Sequence, residues 1–292
     1  LTRYNIHMRD ARGLAVGTRE DRLARVSRLL QCRVAGKAIA IGELQPEDVR
    51  GFIATELTRV NSASHASALT AALRAYFRYR GTCGDAVNAL LGAISSPVRW
   101  RQASLPRALT TEAVQRLEAY CAQVKRAPLR LLAMVRLALD LGLRVGEIAK
   151  LEIGDFDWRA GTVTLKRTKS QRQDALPLPA VTGQALSEYM RHERPATTLP
   201  SLFVRRLAPH DKPIGVDGVS RAIGRALRSA GISHSCHSLR HTLACRLVNS
   251  GSSIKEVADV LRHRSLDTSL IYAKLDLQLL AEVALPWPGS AS

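Results

Sequence analysis

Apolar residues in the first part of the chain recur three and four positions apart, the spacing of a buried helical stripe. Thr18-Arg-Glu-Asp21 reads as a capping box, and Leu23, Val26, Leu29 and Leu30 follow it on one face. Pro46-Glu47-Asp48 opens a second helix, with proline in the first turn and acids near the positive end of the helix dipole. Its apolar face is Val49, Phe52, Ile53 and Leu57. A third helix runs from about Ser64 to Arg80, with Leu69, Ala72, Leu73, Tyr76 and Phe77 inward and Arg74, Arg78 and Arg80 outward. A fourth, shorter one is expected near Asp85–Ile94.

The periodicity then stops. Ser95-Ser96-Pro97 through Leu105-Pro106 carries prolines and serines without an apolar repeat, which marks an interdomain linker. Helical patterning resumes over Thr110–Cys121 and again from Pro128 to Lys150. Gly161-Thr-Val-Thr-Leu-Lys166 alternates at period two, and Ala175-Leu-Pro-Leu178 follows a polar turn containing Thr168, Lys169 and Ser170, which predicts a hairpin. Leu151–Phe156 is a candidate third strand. Further helices are predicted near 181–193, 216–230, 236–250, 253–262 and 266–274, with a last short one near 276–284. The fold class is therefore mainly α, a helical N-terminal domain followed by an α+β domain with one small antiparallel sheet.

Charge narrows the partner. The 292 residues hold 43 Lys+Arg against 25 Asp+Glu, a formal net charge of +18. The surplus is spread over the sequence, and the linker carries Arg99, Arg101 and Arg107. Such a surplus repels itself unless a polyanion accompanies it, and nucleic acid is the leading candidate. A membrane surface fits less well, because the most apolar stretch, Leu129–Ala149, is broken by Arg130, Arg136, Asp140, Arg144 and Glu147. The start of the chain has no apolar segment of a signal peptide, and it has no initiator Met. Cysteines at 32, 83, 121, 236 and 245 form no C-x-x-C pair, which fits reduced thiols in the cytoplasm better than disulfides or a zinc site. Aromatic residues, at 4%, are sparse for a protein that stacks single-stranded bases.

Four segments carry candidate chemistry. Arg144 and Glu147 stand three apart, so the carboxylate can orient the guanidinium, although such a pair alone is an ordinary surface contact. Lys169 lies at the tip of the predicted hairpin, where a flexible ammonium can reach into a cleft. His237, Arg240 and His241 share one helix face, a set that suits an anion better than a metal because arginine does not ligate metals. His263 precedes Tyr272 by nine residues near the end of the chain.

Arg144, Lys169, His237-x-x-Arg240, His263 and Tyr272, in this order and spacing, resemble the active-site set of the tyrosine recombinase, or phage-integrase-like, family. Leu141-Gly-Leu-Arg-Val-Gly-Glu147 before a strand, Pro177 eight residues after Lys169, and the His237-Ser-Leu-Arg-His-Thr242 helix extend the likeness over roughly 106–285. The resemblance implies a helical, SAM-like core-binding domain over 1–95 that clamps DNA, a basic linker over 96–108, and a catalytic domain with a C-terminal helix over 109–292. Arg74, Arg78, Arg80, Arg99, Arg101 and Arg107 are the expected DNA-backbone contacts.

The resemblance also implies the roles. Arg144 and Arg240 would bind the nonbridging oxygens of a phosphodiester in its transition state, with hydrogen bonds added by His237 and His263, either of which can accept the phenolic proton. Tyr272 would be the nucleophile and Lys169 the general acid for the leaving 5′-oxygen. Glu147 and His241 are supporting residues. The product would be a 3′-phosphotyrosyl link, formed without cofactor, metal or ATP. The expected partner is double-stranded DNA bound by a homotetramer, with the apolar segment 275–285 exchanged between protomers and accessory or partner recombinases able to join. The chain resembles the Xer-like or transposon-borne type, without an added arm-binding domain, and leaves no room between Lys169 and His237 for the extra helix of integron integrases. One departure stands out: Arg262 occupies a position where the family often has glycine. Two other readings stay open, a tyrosine-type topoisomerase that relaxes supercoils and a DNA-binding regulator with a vestigial site.

Overall fold

Helices form where the apolar stripes require them, and most ends carry a recognisable cap. The computed structural model describes residues 1–32, 41–60, 62–95, 106–166, 174–206, 212–263 and 265–274. The chain divides into two compact units, Leu1–Arg101 and Gln102–Ser292.

The first unit is helical throughout its described residues. It comprises α1 (Thr2–Asp10), α2 (Val16–Cys32), α3 (Pro46–Arg59), α4 (Ala63–Thr82) and α5 (Asn88–Gly92). The periodicity does not announce α1, whose buried stripe is only Tyr4 and Met8 in an otherwise polar segment. Tyr4 packs edge-on against Tyr76, with ring centroids 5.2 Å apart. Helix α2 begins at Val16, so Thr18 lies inside its first turn and is no cap. Helix α3 starts at Pro46 as predicted, and the Asp48 carboxylate accepts from the Gln45 N–H at 2.9 Å. In α4 the Ser62 hydroxyl caps the N-terminus. The core joins Val26 and Leu29 to Phe52, Leu69, Leu73, Phe77 and Leu90.

The second unit is built around α7 (Pro128–Asp140), which follows α6 (Thr111–Gln123). Leu131, Ala133, Met134, Val135, Leu137, Ala138 and Leu139 are all buried, so α7 is enclosed on almost every side. The single helix predicted from 128 to 150 is interrupted. Gly142 takes φ +59°, and a β-carbon there would stand 2.8 Å from Leu261 Cδ2 and 3.0 Å from Leu243 Cδ2. Only glycine fits, so α7 stops and a four-residue helix, α8 (Val145–Ile148), restarts beyond the turn.

The sheet is antiparallel and ordered β1 (Phe156–Asp157), β2 (Thr162–Leu165), β3 (Asp174–Pro177). Val163 faces Phe156 on one side and Leu176 on the other. The strand predicted over 151–156 is thus reduced, because Ile153–Asp155 forms a 3-10 turn in which the Asp155 carboxylate accepts from the Glu152 N–H at 2.8 Å. The hairpin tip lies outside the described residues. Then come α9 (Ala180–His192), α10 (Val216–Ser229), α11 (His237–Asn249), α12 (Ile254–Val260), a 3-10 turn at Leu266–Thr268, and α13 (Leu270–Ala273). The mainly helical class with one small antiparallel sheet is the class expected from the sequence. No helix among the described residues is long and apolar enough to cross a membrane.

Candidate active site

The interruption at Gly142 creates the first half of the site. Arg240, on the central face of α11, is 1% exposed. Its Nη1 donates to the carbonyl of Gly142 and its Nη2 to that of Leu261. Burial, together with the nearby Arg144 and Arg262 charges, pulls this guanidinium down to about 9, so it stays charged at neutral pH. Arg144 is the N-cap of α8. Its Nη1 donates to Glu147 Oε1 at 2.7 Å and its backbone N–H to Oε2 at 2.9 Å, a reciprocal clasp that fixes the side chain. Arg262 Nη2, 115 residues further along the chain, donates to the same Oε2 at 3.0 Å. Burial alone would raise the Glu147 carboxyl, but the Arg262 charge and the Arg144 contacts hold it below the usual range.

The second half lies along α11 and α13. His237 opens α11 and His241 follows one turn later, their rings edge to face at 4.7 Å. The hydroxyl of Tyr272 stands 2.7 Å from His241 Nδ1. Tyr272 is 1% exposed, and burial pushes its phenol up to about 12 despite the Arg240 charge. Burial, then His237 and Arg240, lower His241 to about 4, so its ring is neutral and Nδ1 accepts the phenolic O–H when the ring proton is on Nε2. His263 lies parallel to Tyr272 with centroids 6.5 Å apart, and its Nδ1 pairs with the buried Ser269 hydroxyl at 2.6 Å. It too is lowered to about 4, by burial and then by Arg240 and Arg144. His237 is lowered for the same reasons, burial first.

The structure thus brings Arg144, Glu147, His237, Arg240, His241, His263 and Tyr272 into one continuous network of contacts and charge. It changes the partnership at the phenol: the hydrogen-bonded histidine is His241, whereas His237 and His263 were the expected proton acceptors. Ser269 was not identified from sequence, and Arg262 was noted there without a role. Ser269 stands three residues before Tyr272, but nothing in that spacing marks it as the anchor of His263. Lys169, Arg99, Arg101 and the segment 275–285 lie outside the described residues. Of the other basic positions, Arg78 and Arg107 are exposed. Arg74 instead donates to the Ile94 carbonyl at 2.5 Å, and Arg80 pairs with Asp85 at 2.6 Å. Among the described residues, no group of three or more His, Cys, Asp or Glu side chains is placed to hold a metal ion.

Comparison with known proteins identifies the family. The model of the phage integrase family matches residues 107–278. The chain is 35% identical over 291 residues to the integrase/recombinase y4rA of Sinorhizobium fredii, covering 99% of this chain and 70% of that protein. It is 27% identical over 235 residues to tyrosine recombinase XerA of Pyrococcus furiosus, covering 80% and 78% respectively. Among solved structures, a lambda integrase (75–356) dimer bound to a COC′ core site superposes with a TM-score of 0.70 at 16% identity, over 99% of this chain and 97% of that one. The XerH site-specific recombinase bound to a palindromic difH substrate gives 0.71 at 20% identity, over 95% and 82%. At these identities the two structures establish the fold. The family match over more than half the chain and the y4rA identity along nearly all of it establish more: the chain belongs to the phage integrase family, the tyrosine recombinases.

Proposed function

We propose that this DNA strand transferase is a site-specific recombinase that cuts and rejoins duplex DNA through Tyr272. The observation that carries the reading is the Tyr272 hydroxyl 2.7 Å from the ring nitrogen of His241, beside the buried charge of Arg240. In the cleavage step Tyr272 Oη forms a bond to phosphorus as its proton passes to His241 Nδ1. The bond from phosphorus to the 5′-oxygen breaks, and Lys169 protonates that leaving oxygen. Arg144 and Arg240 stabilise the added charge on the nonbridging oxygens. In the absence of DNA, a phenol near 12 facing an imidazole near 4 keeps its proton, so the nucleophile is masked. A phosphate carrying growing negative charge raises the basicity of His241 and lifts the mask.

The 3′-phosphotyrosyl link stores the energy of the broken bond, so attack by another strand's 5′-hydroxyl rejoins DNA without ATP or metal. Two such exchanges pass through a Holliday junction. Four protomers supply the four tyrosines, coupled through the 275–285 segment, and accessory or partner recombinases can join them. The domain over 1–95 and the catalytic domain over 109–292, joined by the basic linker 96–108, both contact the duplex, in the cytoplasm. Arg78 and Arg107, being exposed, are the first candidates for backbone contact. The lambda integrase and XerH structures were solved with DNA, which supports the duplex as partner.

The test is a pool of nicked random-sequence duplexes, from which a nucleophilic tyrosine traps its own target covalently. The wild-type chain is expected to form an adduct in EDTA, and Tyr272→Phe to form none while retaining DNA binding. An adduct with the Phe variant would refute Tyr272 as nucleophile. Cleavage by Lys169→Ala should recover on a 5′-bridging thiol substrate, because a thiolate departs without a proton. Supercoil relaxation with no exchange between paired sites would favour a topoisomerase instead.

A further inference from the structure

Arg262 sits where elementary physics disfavours an arginine. Its φ is +54°, a region that L side chains rarely adopt. Its side chain is only 3% exposed, so a permanent charge has been taken out of water. Its Nε is buried with no acceptor among the described residues. Glycine at this position would avoid all three costs.

What the arginine secures is found on the other side of the site. Nη1 donates to the Val260 carbonyl at 2.9 Å, and Nη2 to Glu147 Oε2 at 3.0 Å. Glu147 Oε2 also accepts the Arg144 backbone N–H, and Oε1 accepts the Arg144 guanidinium at 2.7 Å. Both oxygens are therefore engaged, and the carboxylate has a single orientation in which to hold Arg144. Buried ion pairs of this kind contribute little net stability, so fixing the geometry is the better account of the residue. The flanking positions belong to the same device. The Leu261 carbonyl receives Arg240, and the His263 ring faces Tyr272. Three consecutive residues thus tie both arginines of the site to the tyrosine.

We propose that Arg262 is a positioning residue for DNA cleavage: by locking Glu147 it sets the direction in which the Arg144 guanidinium meets the scissile phosphate. This rests on the recombinase reading above. The experiment measures single-turnover adduct formation on the nicked duplex pool, with DNA affinity and melting temperature recorded for each variant. Arg262→Gly suits the left-handed backbone, and it should bind DNA within about twofold of wild type yet form adduct about 10- to 100-fold more slowly, the scale of a misdirected catalytic group. Its final adduct yield should match wild type, because a purely structural defect removes competent molecules and leaves the rate of the remainder unchanged. Arg262→Lys keeps the charge at the same backbone strain and should restore most of the rate. Combined with Glu147→Gln, Arg262→Gly should add little further loss, since both act through one carboxylate. A wild-type rate in Arg262→Gly would overturn the proposal, as would a rate loss that follows melting temperature alone across the Gly and Lys variants. Adduct formation by Tyr272→Phe, or none by the wild type, would instead overturn the recombinase reading and this inference with it.

Discussion

Among the described residues each unit holds one buried glutamate paired with basic side chains, and the two clusters differ in a way that separates stability from function. Glu56, 7% exposed, meets Arg28 at 3.1 Å, Arg59 at 3.0 Å and His65 at 3.6 Å. Glu147, 8% exposed, meets Arg144 at 2.7 Å and Arg262 at 3.0 Å. Around Glu56 the arginine side chains are 37% and 53% exposed, so water solvates whatever the carboxylate does not. Around Glu147 one arginine is sealed in and the other is half-open toward solvent, 32% exposed. The first arrangement is an ion-pair cluster of three helices, tolerant of losing a member. The second confines charge at a cost and spends it on orienting Arg144.

That contrast can be broken deliberately. The largest expected effect is Glu147→Ala, which strands Arg262 as an uncompensated buried charge. Denaturant unfolding should show a loss of about 3–5 kcal/mol, accompanied by loss of adduct formation. Glu56→Ala leaves its arginines in water and should cost clearly less, with cleavage chemistry intact. Gly142→Ala comes next. Strain at φ +59° and the clash with Leu261 and Leu243 should cost about 2–4 kcal/mol and displace the carbonyl that holds Arg240. A lowered melting temperature with unchanged cleavage below it would show that the Gly142 carbonyl is dispensable.

Acid supplies a third, smaller probe. His241 and His263 are lowered from 6.5 to about 4 by burial and neighbouring cations. The unfolded chain binds protons there that the folded chain refuses. Their contribution to stability is therefore full above pH 6.5 and is lost as pH falls toward about 4. His263→Gln should flatten the decline of melting temperature across that window. The smallest effect is Arg59→Ala, whose solvent-exposed pair with Glu56 should leave the melting temperature nearly unchanged in thermal unfolding.

Much of this was legible before folding, and for definite reasons. Helices α3, α4, α6 and α11 carry long apolar stripes or a capping residue, and both signals are local. Helix α1 is not legible in the sequence, because two buried residues in a polar segment make too short a pattern. The break between α7 and α8 is not legible either, because glycine is tolerated in a helical pattern, and the side chains that crowd a β-carbon at Gly142 come from residues 243 and 261. The site residues were recognisable as a set by order and spacing. Which histidine meets the tyrosine was not, since His237, His241 and His263 offer the same ring and the choice depends on how α13 lies against α11.

The helical class, the small sheet, the basic surplus and the family's residues in their order are written in the chain before it folds. These follow from periodicity, composition and the order of residues along the chain, all of which exist before folding. Folding is what pairs Tyr272 with His241, sets the Gly142 and Leu261 carbonyls against Arg240, and brings Arg262 to Glu147. Those contacts join residues 21 to 115 positions apart. Their partners are chosen by packing and by the need to satisfy every buried charge, and no local pattern encodes either.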